Sequence, residues 1–105
     1  MTGEAFRVEH TDERTVRLIG ELDLASFELA MAELEPLLAQ DGDIELDLTK
    51  LTFLDSSGIR VLVKCRTSLD GRGSLVLRGA SPHVTKILEI AGLADLGVRS
   101  VDPGA

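Results

Sequence analysis

Tryptophan and tyrosine are absent from this sequence of 105 residues, and only Phe6, Phe27 and Phe53 supply aromatic surface. Without aromatics there is no stacking platform for nucleobases. The core must then come from Leu, Val, Ile and Ala, within a chain that is 44% apolar. A single cysteine, Cys65, excludes an intrachain disulfide and fits a reducing compartment. Positive charge is scarce: 11 Lys and Arg face 18 Asp and Glu, leaving a formal charge of -7. That balance opposes phosphate backbones and anionic lipid surfaces, whose affinity comes from dense Lys and Arg. No apolar run approaches the roughly 18 residues needed to span a bilayer, and Met1 to His10 lacks a basic start followed by an apolar segment. These absences point to a cytoplasmic protein with neither nucleic acid nor membrane as a direct partner. The length suits one domain able to bury about two thirds of its unfolded surface.

What is present is a regular alternation of periods. Ala5 to Val8 and Thr15 to Ile19 are short runs separated by polar Glu9 to Arg14, which suits a hairpin turn. From Asp23 the period lengthens: Phe27, Ala30, Met31, Leu34, Leu37 and Leu38 recur at three- and four-residue steps, and Pro36 is expected to end or kink that helix. Asp41-Gly42-Asp43 is a turn, after which Ile44, Leu46 and Leu48 alternate with Glu45, Asp47 and Thr49 as in a strand. Leu51 to Leu54 runs apolar into Asp55-Ser56-Ser57-Gly58, and a second helix follows, with Val61, Leu62, Cys65 and Leu69 as its inward stripe. Leu75-Val76-Leu77 reads as a strand buried on both faces. Ser81-Pro82 opens a third helix and Gly92 stops it. At most one short strand remains, around Val98 to Val101. The order β-β-α-β-α-β-α, with that last strand, predicts a mixed sheet of four to five strands covered by about three helices. The opening hairpin argues against a response-regulator receiver domain, which begins with one strand leading straight into a helix.

The segment Asp55-Ser56-Ser57-Gly58 carries the chemistry. Asp55 or Ser56 can serve as an N-cap for the orphan amides of the helix start. One of the two serines can equally be an exposed phosphoacceptor, its phosphate meeting free amides and the positive end of the helix dipole. The two roles are compatible. A phosphate adds roughly -1.5 to -2 charges beside Asp55 and would oppose an acidic partner or desolvate poorly in an apolar one. On the helical wheel Arg60, Lys64, Thr67 and Ser68 share the polar side, while Ile59 and Val63 fall on the border, either packing inward or joining a contact patch beside Ser56.

Gly20-Glu21-Leu22-Asp23, then Phe53-Leu54-Asp55-Ser56-Ser57-Gly58-Ile59, then Ser81-Pro82 leading to Ala91-Gly92-Leu93, resemble in order and spacing the STAS domain of bacterial anti-sigma-factor antagonists. The resemblance covers about residues 4 to 101 of what is expected to be a single STAS domain, 1 to 105. It implies a partner-switching cycle. The unphosphorylated antagonist binds an anti-sigma factor that is also a serine kinase and so frees the sigma factor; phosphorylation releases the antagonist, and a phosphoserine phosphatase resets it. By matching position the acceptor is Ser56, with Asp23, Asp55, Ser57, Gly58, Ile59, Arg60 and Val63 forming the partner surface. ATP and magnesium would belong to the kinase, so no cofactor is expected here. The alternative is a non-catalytic STAS scaffold subunit of a stress-signalling or lipid-transport complex. Family members commonly continue into a final helix where this sequence reads Val101-Asp102-Pro103-Gly104-Ala105.

Other reactive residues point to nothing comparable. Cys65 lies on an inward stripe with no histidine patterned to activate it. His10 and His83 lack companions at ligand spacing, so no metal is expected. Asp43, Glu45 and Asp47 share one strand face and suit an exposed or edge-protecting acidic surface rather than a calcium loop. Glu21 and Asp23 as an acid/base pair lack a phosphate cradle, nucleophile or pocket, and no enzymatic activity is expected.

Overall fold

The computed structural model describes residues 5–96 and 98–101. Strands β1 (Arg7–Asp12) and β2 (Thr15–Leu22) form the hairpin, followed by α1 (Phe27–Leu38), β3 (Ile44–Leu54), α2 (Ser56–Ser68), β4 (Leu75–Arg78), α3 (Pro82–Ala91), a 3-10 turn at Leu93–Leu96 and β5 (Arg99–Val101). The sheet order is β1-β2-β3-β4-β5; β1 is antiparallel to β2 and every later pair is parallel. Each right-handed crossover therefore steps one strand in the same direction, which puts all three helices on one face of the sheet. Buried residues of all three helices accordingly join those of the strands in a single core, from Val16 and Leu18 through Leu34, Leu46 and Leu62 to Val84 and Leu88. The expected mixed sheet with an N-terminal hairpin and three helices is the observed one. Asp102 to Ala105, where the resemblance would place the start of a last helix, lie outside the described residues.

Four local expectations need revision. The polar stretch Glu9 to Arg14 is mostly strand: β1 runs to Asp12, and the turn needs only Glu13 and Arg14 because the Asp12 carboxylate accepts the Arg14 amide at 2.9 Å. That bond also holds the Asp12 carboxyl below its ordinary pKa. Polar residues there mark an exposed edge strand. Next, β3 is one strand of eleven residues. Its register against β2 slips by a residue between Arg17 and Ile19 and again between Gly20 and Glu21. Each bulge adds one residue to β3, so its buried positions change from Ile44, Leu46 and Leu48 to Leu51 and Leu54, two steps of three after steps of two. Asp47 holds the first bulge, accepting the Thr49 amide at 2.9 Å and the Thr49 hydroxyl at 2.6 Å. Partial burial pushes the Asp47 carboxyl up, but these bonds and Arg17 outweigh it and leave the pKa lowered.

Pro36 does not end α1; the helix continues to Leu38. Proline at that point forfeits one bond, to the Ala32 carbonyl, and arginines from elsewhere hold the terminal carbonyls. Arg14 Nη1 donates to Leu37 O at 2.8 Å, its Nη2 to Gly42 O at 2.8 Å and its Nε to Asp43 O at 3.1 Å. Arg72 Nη2 donates to Leu38 O at 2.7 Å and also reaches Ser68 O at the end of α2. Finally, the acidic residues around β3 do not form a bare acidic face, because β3 is central and its neighbours carry arginines. Glu45 binds Arg78 at 2.7 and 3.2 Å, Asp47 binds Arg17 at 3.1 Å, and Asp43 accepts the Ser74 amide at 2.8 Å. Arg17, Asp47 and Arg78 lie in register across three strands, a row of alternating charge.

Candidate functional site

Leu22 ends β2 and Leu54 ends β3, and the two are register partners. The chain then turns into α2 through Asp55 alone, while residues 23–26 lead into α1 beside it. This junction lies at the carboxyl ends of parallel strands, where open α/β sheets present their binding residues. Asp55 is the N-cap: its Oδ1 accepts the Ser57 amide at 2.8 Å and the Gly58 amide at 3.2 Å, and its carbonyl accepts the Ile59 amide at 2.9 Å. The capping role thus falls to Asp55 rather than Ser56. It also revises the expectation that a phosphate on Ser56 would meet free amides, since two amides of the first turn are already taken.

Ser56, the first residue of α2, is exposed. Its hydroxyl has no hydrogen-bond partner among the described residues, although among those residues every buried side-chain nitrogen and oxygen is paired. Ser57 is half-buried behind it. Gly58 is buried and packs where no side chain fits: a Cβ there would lie 2.3 Å from Leu54 Cδ1 and 2.6 Å from the Leu22 carbonyl oxygen. Gly58 therefore shapes the site from beneath by letting α2 rest on the end of β2. Ile59 and Val63 are half-buried against the core, so each presents only part of its side chain outward. Arg60 is exposed and lies over the Phe27 ring, 5.0 Å from its centroid, tying the first turn of α2 to the start of α1.

Asp23 lies in the adjacent loop, but its carboxylate is engaged locally. It accepts the Ser26 amide at 3.1 Å, and the Ser26 hydroxyl lies 3.1 Å from it and 2.9 Å from the Glu21 carbonyl oxygen. Ser26 is buried and fixes this loop; nothing in the periodicity singled it out. Sequence reasoning also passed over two exposed apolar side chains at this end of the sheet, Leu24, 74% exposed, and Phe53. Leu24 precedes the helical stripe of α1, and that position outside any period was the one signal available. Away from this end, Cys65 is buried and its thiol is pushed up to about 12. His10 Nε2 sits 2.9 Å from Glu33 Oε1, a surface pair.

The family model described as "Mlab, STAS domain" matches residues 6–100. The chain belongs to the STAS domain family. Among curated proteins, an anti-sigma-B factor antagonist of Listeria monocytogenes is 34% identical over 88 residues, covering 82% of this chain and 77% of the relative. Among solved structures, the anti-sigma factor antagonist SpoIIAA in its unphosphorylated form superposes with a TM-score of 0.72 at 27% identity, over 92% of this chain and 88% of that one. The Bacillus cell fate determinant SpoIIAA in its phosphorylated form superposes with a TM-score of 0.64 at 25% identity, over 92% and 91%. Among the described residues no helix is long and apolar enough to cross a membrane.

Proposed function

We propose that this STAS domain is an anti-sigma-factor antagonist that binds an anti-sigma factor with serine kinase activity while unphosphorylated, so freeing the sigma factor. Phosphorylation of Ser56 ends that interaction, and a phosphoserine phosphatase restores it. The observation that carries the reading is the exposed, unpartnered hydroxyl of Ser56 at the start of a helix whose cap is supplied by another residue. A kinase can reach such a group, and its modification leaves the cap bonds of Asp55 in place. The relatives named as anti-sigma factor antagonists support the same reading. The partner surface is Ser56 with Asp23, Asp55, Ser57, Ile59, Arg60 and Val63 around it, Gly58 giving it its shape. The domain contributes recognition, and the phosphoryl chemistry belongs to the kinase.

Magnitude supports a surface switch without unfolding. A hundredfold loss of affinity requires about 2.7 kcal/mol, which a few lost or opposed charge-assisted contacts supply. The experiment is to incubate the protein with its candidate kinase and ATP, then compare intact masses of wild type and Ser56→Ala. One added phosphate on wild type and none on the variant is expected; phosphate on both, or on neither, refutes Ser56 as acceptor. Ser56→Asp should also weaken kinase binding in calorimetry. A second reading, a non-catalytic STAS subunit of a stress-signalling or lipid-transport assembly, keeps the same fold and family. Absence of phosphate on wild type, with stable co-purification into a larger assembly, would support it.

A further inference from the structure

A phosphate on Ser56 needs a counter-charge, and the first turn of α2 has little left to give. The Ser57 and Gly58 amides are held by Asp55 Oδ1, and the Ile59 amide by the Asp55 carbonyl. The Asp55 carboxylate adds repulsion of its own. Arg60 stands four residues after Ser56, on the same side of the helix, where side chains at this spacing meet. An anion on the N-terminal member of such a pair and a cation on the C-terminal one is the favourable order along the helix dipole. Among the described residues Arg60 has no carboxylate partner; its contact is the Phe27 ring at 5.0 Å. Other cations of α2 serve less well: Lys64 is eight residues on, about 12 Å along the axis, and Arg66 pairs with Asp70 at 3.7 Å.

We propose that Arg60 converts phosphorylation of Ser56 into a change of surface: the phosphate draws the guanidinium off Phe27, and the partner loses a cation and meets an uncovered aromatic ring instead. The proposal rests on the reading of Ser56 as the phosphoacceptor. A ring quadrupole holds an exposed guanidinium weakly, whereas a phosphate offers nearly two charges and acceptor oxygens matched to the guanidinium fork. Arg60 is thus a positioning residue with two alternative seats, one for each state of Ser56.

The test uses protein with phosphoserine installed at position 56 by genetic encoding, so that no kinase is required. Without phosphate, the Arg60 side-chain protons should show the upfield ring-current shift of the Phe27 face; with phosphate that shift should collapse. In a phosphorus NMR titration the second phosphate pKa of wild type should lie about half a unit or more below that of Arg60→Gln, roughly a threefold tighter hold on the dianion. Arg60 is exposed, so this variant keeps the fold. Unchanged Arg60 shifts on phosphorylation, or equal phosphate pKa values in the two proteins, would overturn the proposal. Such a failure leaves the acceptor assignment standing, whereas absence of kinase labelling at Ser56 removes that assignment without touching this measurement.

Discussion

Replacing Gly58 by alanine sets two physical effects against each other with opposite signs. Intrinsic helix propensity favours alanine over glycine by up to about 1 kcal/mol. Packing opposes it, because the new methyl would lie 2.3 Å from Leu54 Cδ1, 2.6 Å from Leu22 O and 3.1 Å from Leu22 Cγ. Leu54 Cδ1 is the end of a side chain, but that side chain is itself fully buried. Leu22 O is backbone, and it also accepts the Asp55 amide at 3.3 Å. Overpacking of this kind costs about 1–3 kcal/mol, and weakening the Leu22 to Asp55 bond adds about 1 kcal/mol. The net expectation is a loss of about 2 kcal/mol, or a melting temperature lower by roughly 10 °C.

Urea denaturation of wild type and Gly58→Ala, followed by circular dichroism, measures this directly. A double-mutant cycle with Leu54→Val sharpens it. Valine lacks the δ carbon, so the penalty of Gly58→Ala should shrink by about 1 kcal/mol in that background without vanishing, since Leu22 O remains. A Gly58→Ala protein as stable as wild type, or more stable, would show that propensity wins and that α2 does not rest on β2 as described.

Arg14→Ala removes a guanidinium that serves carbonyls at the end of α1 and in the following turn, and should cost about 2–3 kcal/mol in urea denaturation; Arg14→Lys should recover only a part, because a point charge cannot span those acceptors. Cys65 predicts a pH dependence. Its thiol rises from an ordinary 9.0 to about 12 in the fold through burial, so the unfolded chain releases this proton first. Its contribution is complete below pH 9.0 and is lost as pH rises towards 12. Stability should fall across that window and fall less in Cys65→Ala, while alkylation of native protein should be slow compared with that of unfolded chain; equal slopes in the two proteins would refute the assignment.

The residues that were legible in the sequence are those whose periodicity has one local cause. Val61, Leu62, Cys65 and Leu69 sit on the buried face of α2, as their spacing requires, and Ser81-Pro82 caps α3 through the Ser81 hydroxyl and the Val84 amide at 3.2 Å. The misread features depend on partners distant in the chain. Whether Glu9 to Asp12 is turn or edge strand depends on its pairing with β2, and the fate of Pro36 depends on Arg14 and Arg72. The same holds at the site. Ser56 and Asp55 were visible as a helix start, but which of them caps could not be decided from two adjacent hydrogen-bonding side chains. Arg60 was placed on the polar side correctly; its seat on Phe27, thirty-three positions earlier, required the packing of α1 against α2.

In the switch we propose, the division of labour within Asp55-Ser56-Ser57-Gly58 would let a surface change while the domain beneath it stays the same. Asp55 satisfies the amides that start α2, and Gly58 seats that turn on the carbonyl of Leu22. Both tasks concern the interior, and both are complete without the Ser56 hydroxyl. Had Ser56 been the cap, phosphorylation would have replaced a structural bond, and stability would have moved with signalling state. If Ser56 is the acceptor, as we propose, its place one residue after the cap separates the two, and the added charge would act on what approaches from outside and on Arg60, four residues on. A switch built this way needs no alternative fold, only a partner surface that cannot accommodate the new dianion.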